Sequence, residues 1–438
     1  MFPFVQEEFR LDVDGRYPQM KASGVRTIQF SSQVYWIANL KKVSTYRYEG
    51  KIWYKYGSGS GSFPYNGIRV KVNVASFPAN STAEVEFLLN GVVQLTRTYK
   101  LKSPFFRKVE FEYDYEAGIT PVTAIDPTRH PVHDPTLTPG SLSIQGAFAR
   151  MGIQATKSGG DSAIPSALTG GNGVWSDMEM HDAMQIYWSR FANQAQWALW
   201  TFFGKQHDWG WGLGGIMFDS IGPNHRQGTA LFYNSFISDR PSGDPDPAAF
   251  VERMQFWTAV HEMGHSFNLA HSWQKSLGAP WGSPWISLAD EPDARSFMNY
   301  PYNVAGGVNA FFANFDHRFS DGELMFLRHA PEPFVQMGNF DWFDHHGAEA
   351  PGASQNQDLQ LIVRLNRPDA VYESLEPVTV ELKLLNSSGE PMIVSSNALK
   401  DSHHLVVVVQ RKGDPARVFR PFANYCLQSK RVVLEAGA

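Results

Sequence analysis

Residues 258–271 read T-A-V-H-E-M-G-H-S-F-N-L-A-H, and no other stretch limits the possible folds so sharply. His261 and His265 are four apart, so on a helix they share one face, roughly 6 Å apart along it. His271 follows six residues later, and a continuing helix would turn it about 240° away from His265. The three imidazoles can meet only if the helix stops abruptly between them. Asn268 stands where that stop is needed, and asparagine is the non-glycine residue best suited to the left-handed conformation that ends helices. Three neutral imidazoles form a set that can hold a zinc ion, and Glu262, beside the first of them, remains available to act on a water.

The spacing H-E-x-x-H-x-x-N-x-x-H resembles the long motif of the metzincin zinc endopeptidases, H-E-x-x-H-x-x-G-x-x-H, with Asn268 in place of the usual glycine. Downstream, Ser296-Phe297-Met298-Asn299-Tyr300 resembles the S-x-M-x-Y Met-turn of astacin-like and serralysin-like members. The resemblance implies one catalytic zinc on His261, His265 and His271, with Glu262 as general base. It implies Met298 as an apolar floor beneath the ligands, and Tyr300 as a ligand or as a donor to the oxyanion. It implies hydrolysis of peptide bonds in a protein or glycoprotein substrate. In architecture it covers roughly residues 140–345, as a twisted mixed sheet with an active-site helix and a C-terminal helix. Two other classes remain open: a binding or adhesion protein with a structural or inactive metal site, and a zinc hydrolase acting on a non-peptide bond. Glu262 argues against a purely structural site, which needs no general base.

The 438 residues suffice for two or three domains, and the pattern predicts an α+β chain. Residues 1–120 read as a β-sandwich or jelly roll, with strands at 34–37, 51–56, 68–74 and 109–115. Asn90-Gly91 between apolar runs predicts a type I′ hairpin. Tyr46, Tyr48, Trp53, Tyr54 and Tyr56 read either as a stacking surface or, more simply, as ordinary strand aromatics. Prolines crowd 121–140, predicting an extended linker in which His130, His133 and Asp134 are surface residues.

The metzincin-like domain is expected over 141–350. A strand is predicted at 141–149, then a helix over 176–193 with the capping box Ser176/Glu179, then strands at 196–203, 213–218 and 229–237. Gly214 and Gly215 mark either an edge strand on which a substrate backbone could pair or a bend in the sheet. Asp246 and Pro247 open the zinc-site helix, and Ser320 with Glu323 opens a closing helix. Phe311 and Phe312 either line a substrate pocket or belong to the core. After a polar linker at 351–358, the pattern to 438 suggests an immunoglobulin-like sandwich, with four or five visible strands.

Several classes fall away. The net charge of −5, with signs intermixed, gives no footprint for nucleic acid. No apolar run approaches the roughly 20 residues of a membrane span. The single cysteine, Cys426, permits neither an internal disulfide nor a cysteine-ligated zinc, and reads as small core filler. Calcium at Asp290, Glu291 and Asp293 has no supporting spacing. The first eight residues lack the features of a signal peptide; the expected location is nevertheless secreted or extracellular.

Overall fold

The computed structural model describes residues 5–437 except 29–31, 77–79, 193, 220–225, 279–285, 287, 340–358, 366–371, 373–378, 400–404, 406, 410–416, 420–423 and 428–429. The linker predicted at 351–358 lies outside the described residues.

The N-terminal part is one antiparallel meander: β1 (Val5–Asp12), β2 (Lys21–Ile28), β3 (Ser32–Ser44), β4 (Arg47–Tyr56), β5 (Gly67–Asn73), β6 (Thr82–Leu89) and β7 (Val92–Lys100), paired in chain order. At the β6–β7 turn Asn90 has φ 52° and Gly91 φ 85°, the left-handed pair that a type I′ turn requires. Glu7 on β1 accepts hydrogen bonds from Arg97 Nε (3.0 Å) and Tyr99 Oη (3.3 Å) on β7. Phe9 stacks on Tyr99 at 5.0 Å. The first and last strands thus draw together into a near-barrel around Trp36, Phe63 and Phe87. This corrects the expected sandwich or jelly roll: every strand pairs with its sequence neighbour, so no crossover builds a second sheet. The aromatic group divides as well. Trp53 and Tyr46 are exposed and Tyr48 is buried in the meander, while Tyr56 packs on Phe334 at 4.9 Å.

The strand expected at 109–115 is β8 (Arg107–Glu116), but its partners lie elsewhere. After the short pair β9 (Ala124–Ile125) and β10 (Leu142–Ser143) come α1 (Ile144–Arg150), β11 (Ile153–Lys157), β12 (Ala163–Ile164), α2 (Asp177–Tyr187), β13 (Ala198–Gly204), β14 (Leu213–Met217) and β15 (Gly228–Phe232). β11, β8, β13 and β15 run parallel in that order, and β14 follows antiparallel. Period two splits the side chains. Phe111, Tyr113, Leu199, Phe203 and Leu231 join the core built with α1 and the later helices, whereas Trp200, Phe202, Ala230 and Phe232 join that of α2. Both faces are covered, which is why β13 reads as the continuous run A-L-W-T-F-F-G.

The residues read as a strand at 141–149 are mostly helix α1. Ser143 caps it by accepting from the Gly146 amide, and Ile144, Ala147 and Phe148 bury at helical spacing. α2 stops at Tyr187, earlier than expected, with Trp188 extended. α3 (Pro247–Ser266), α4 (Gly307–Phe312), α5 (Asp321–His329) and α6 (Glu332–Val335) complete the helical set. Phe311 and Phe312 of α4 belong to the core. His130, expected at the surface, is buried and bonds through Nε2 to Asp244 Oδ1 at 2.9 Å.

α5 locks onto the meander. Asp12 Oδ2 lies 2.9 Å from Arg328 Nη1 and 3.2 Å from His329 Nε2, and His329 Nδ1 lies 2.9 Å from Ser23 Oγ. The C-terminal segment contributes β16 (Leu359–Leu365), β17 (Val380–Asn386), β18 (Met392–Ser395), β19 (Val407–Val409), β20 (Arg417–Phe419), β21 (Asn424–Leu427) and β22 (Arg431–Leu434). Six of these form antiparallel pairs, β16 with β17, β18 with β22 and β19 with β20; the seventh, β21, pairs with β14. Among the described residues no helix is long and apolar enough to cross a membrane.

Candidate metal centre

α3 begins as its sequence requires: the Asp246 side chain accepts from the Ala249 amide and Pro247 opens the first turn. Its far end carries His261 and His265 and stops in two steps. Asn268 has φ 69°. The Asn268 amide donates to the His265 carbonyl (2.8 Å) and the Leu269 amide to the Gly264 carbonyl (3.2 Å), the paired bonds of a Schellman ending. Asn268 also donates through Nδ2 to the Phe334 carbonyl at 2.8 Å. Asparagine therefore supplies both the backbone conformation and a tie to α6, and only the first of these could come from glycine.

This ending returns the chain beneath the helix. The ligating atoms of His261, His265 and His271, all buried, lie within 4.8 Å of one another. Each ring is held from behind. His261 Nδ1 contacts the Phe297 carbonyl (2.6 Å), His265 Nδ1 the Leu269 carbonyl (2.8 Å), and His271 Nδ1 the Gln274 Oε1 (2.6 Å). Carbonyl oxygens only accept, so each Nδ1 carries the proton and each Nε2 presents a lone pair. The Nε2 atoms of His261 and His265 face each other at 3.1 Å. Burial lowers the His261 pKa to about 4, against the opposing pull of the Phe297 carbonyl and the Glu323 charge, so its ring is neutral at neutral pH. Facing lone pairs at this distance suit one cation bound between them, and a three-imidazole set suits zinc.

Glu262 is fully buried next to β14: a Cβ built on Gly215 would lie 2.7 Å from Glu262 Oε1 and 2.7 Å from Thr258 Cγ2. Only glycine permits this approach of strand to carboxylate. Met298 lies under the helix, where a Cβ on Gly264 would meet its Sδ at 2.3 Å. Glycine at 264 is therefore what permits Met298 to pack there, although the motif does not single it out. The Tyr300 ring centroid is 4.8 Å from that of His271 and 5.5 Å from that of His261. Trp273 stacks on His271 at 4.5 Å.

The tight turn around Met298 is fastened by one carboxylate that sequence reading placed only in a helix cap. Glu323 accepts from Ser272 Oγ (2.8 Å), from Ser296 Oγ and from the Ser320 amide (2.8 Å), and it pairs with Lys275 Nζ at 2.9 Å. Burial pushes the Glu323 carboxyl up, but the Lys275 charge and these hydrogen bonds together hold it below its usual value. Glu323 thereby joins the segment of the third histidine to the segment of Met298.

Gly214 and Gly215 lie on β14 as expected, yet β14 is not the bare edge that was predicted. Its outer side is hydrogen-bonded to β21. The acidic residues weighed for calcium have protein partners: Asp290 accepts from Ser276, Glu291 contacts Lys275 and Ser320, and Asp293 accepts from the Ala305 amide. Comparison with known protein families, curated proteins and solved structures gave no significant match.

Proposed function

We propose that the chain is a zinc-dependent endopeptidase of metzincin type, secreted or extracellular, acting on protein or glycoprotein substrates. The observation that carries this reading is the convergence of three Nε2 lone pairs from His261, His265 and His271 beside the buried Glu262. The doubly covered sheet from β8 to β15, with its antiparallel strand β14 next to Glu262, supports it. In this reading the sheet, α3 and α5 are the catalytic unit. The meander and an immunoglobulin-like C-terminal unit serve substrate or partner binding.

Zinc, when bound, lowers the pKa of water to about 7 and polarises the scissile carbonyl. Glu262, one residue after the first ligand, takes the proton of the attacking water and returns it to the departing amine. Tyr300, packed against two of the ligand rings, donates its phenol proton in a hydrogen bond to the oxygen that gains charge. Met298 keeps the ligand rings in place from below.

The test is zinc content together with cleavage of a denatured protein mixture, for the wild type and for Glu262→Ala, with and without a chelator. One zinc per chain in both proteins, with cleavage only by the wild type without chelator, is the expected result. A wild type that holds one zinc and cuts neither proteins nor glycoproteins ends the peptidase reading.

A further inference from the structure

β14 brings Gly215 against Glu262, and its inner neighbour is β15. A strand placed so, with one hydrogen-bonding side outward, is a template for an added extended chain. That side is already taken. β21 runs antiparallel along it, with Leu213 opposite Leu427, Ile216 opposite Tyr425 and Met217 opposite Asn424. The register shifts between Leu213 and Ile216, so Gly214 and Gly215 together stand opposite Cys426, as in a β-bulge. The ladder thus spans Gly215, which approaches Thr258 and Glu262, and Gly214, which packs on Ile237 and Phe236.

A second contact holds the segment there. Lys430, just beyond β21, places its ammonium 4.8 Å from the ring centroid of Trp211, in the turn that leads into β14. β22 then pairs with β18, so the segment is anchored in the C-terminal ladders and is not a loose tail.

We propose that β21 is a built-in competitor of the substrate: it occupies the strand position an extended peptide would need, and the full chain is self-inhibited until β21 leaves. This rests on the peptidase reading and adds its regulation. A tethered strand faces β14 at an effective concentration on the order of millimolar, enough to keep out an extended peptide of ordinary affinity. Release needs no change in the metal centre, only loss of a short ladder, by proteolysis of the tether or by a partner that takes up the C-terminal strands.

The experiment uses the full-length, zinc-loaded chain and the double variant Asn424→Pro/Tyr425→Pro. Successive residues of a strand direct their N–H groups to opposite sides, so replacing two neighbours removes at least one bond to β14. Cleavage of an unstructured peptide mixture should rise at least about tenfold, given the millimolar competitor removed, with zinc content unchanged. Amides of Leu213–Met217 should exchange with solvent faster in the variant. A synthetic peptide covering residues 420–431 should inhibit the variant. Equal cleavage by both proteins, or equally fast exchange of the β14 amides in both, overturns self-inhibition and leaves the peptidase reading standing. If both hold zinc, the variant's β14 amides exchange freely and neither protein cleaves, the peptidase reading falls and takes this inference with it.

Discussion

β7 and β13 show the two ways this chain buries a strand. β7, V-V-Q-L-T-R-T-Y-K, has no buried residue, whereas β13, A-L-W-T-F-F-G, has no other kind. The meander turns one face to water, so half its positions tolerate change. The mixed sheet is sealed by helices on both sides. The candidate metal centre hangs from the sealed layer, through α3 and β14. A site that must hold three rings in fixed tautomers is placed where packing leaves side chains least freedom.

The largest expected effect is in the sealed layer: Phe202→Ala should cost about 3–5 kcal/mol, read by urea unfolding. A loss below ~1 kcal/mol would mean that this layer packs no better than the meander. Next, Glu323→Gln leaves the buried Lys275 short of its main counter-charge and should cost about 3 kcal/mol. It should also speed zinc loss to a chelator by roughly 10–100-fold; unchanged release would reduce Glu323 to a helix cap.

The third prediction concerns the contact between the two regions. Burial, the main cause, depresses His329 to about 4 despite Asp12, and depresses His317 to about 3. Below their unfolded value of about 6.5 the unfolded chain takes up these protons while the folded chain does not. Stability should therefore fall as pH drops from 6.5 to 4, by up to about 1.4 kcal/mol per pH unit for each histidine. Asp12, held below its usual value, adds a loss of the same sign at lower pH. Urea midpoints of the metal-free chain across this range provide the measurement, and His329→Gln should flatten the slope. The smallest effect is Thr96→Ala on β7, within about 0.5 kcal/mol; a larger cost would show that the exposed face of the meander is occupied.

The parts legible in the sequence were those governed by near neighbours. The capping boxes at Ser176/Glu179 and Ser320/Glu323 both form, as do the Asn90-Gly91 turn and the helix stop at Asn268. Helix α1 was missed although Ile144, Ala147 and Phe148 carry helical spacing, because β-branched and apolar residues in so short a run suit either state. β8 misled for a deeper reason. Its alternation K-V-E-F-E-Y-D-Y-E suggests one wet face, yet Glu112, Asp114 and Glu116 are buried. Distant groups satisfy them: Ser189 bonds Glu112, the Trp200 indole bonds Asp114, and the Trp175 indole and the Lys205 amide bond Glu116. Hydrogen-bonded carboxylates can be buried, but no local pattern announces their partners. The same limit hid Glu323, whose partners Ser272 and Ser296 lie 51 and 27 residues away, and the pairing of β21 with β14.

The bond between Asp12 and Arg328 joins residues 316 positions apart. On a ribosome adding roughly 5–20 residues per second, that separation is about 15–60 s of synthesis. Through that interval β1 exists with an aspartate destined for burial and neither Arg328 nor His329 to meet it. The seam between meander and α5 must close late, after both segments that carry the three histidines have emerged. Order of synthesis thus makes α5 the clasp of the whole assembly, and a chain halted before Arg328 should keep its first strand accessible to protease.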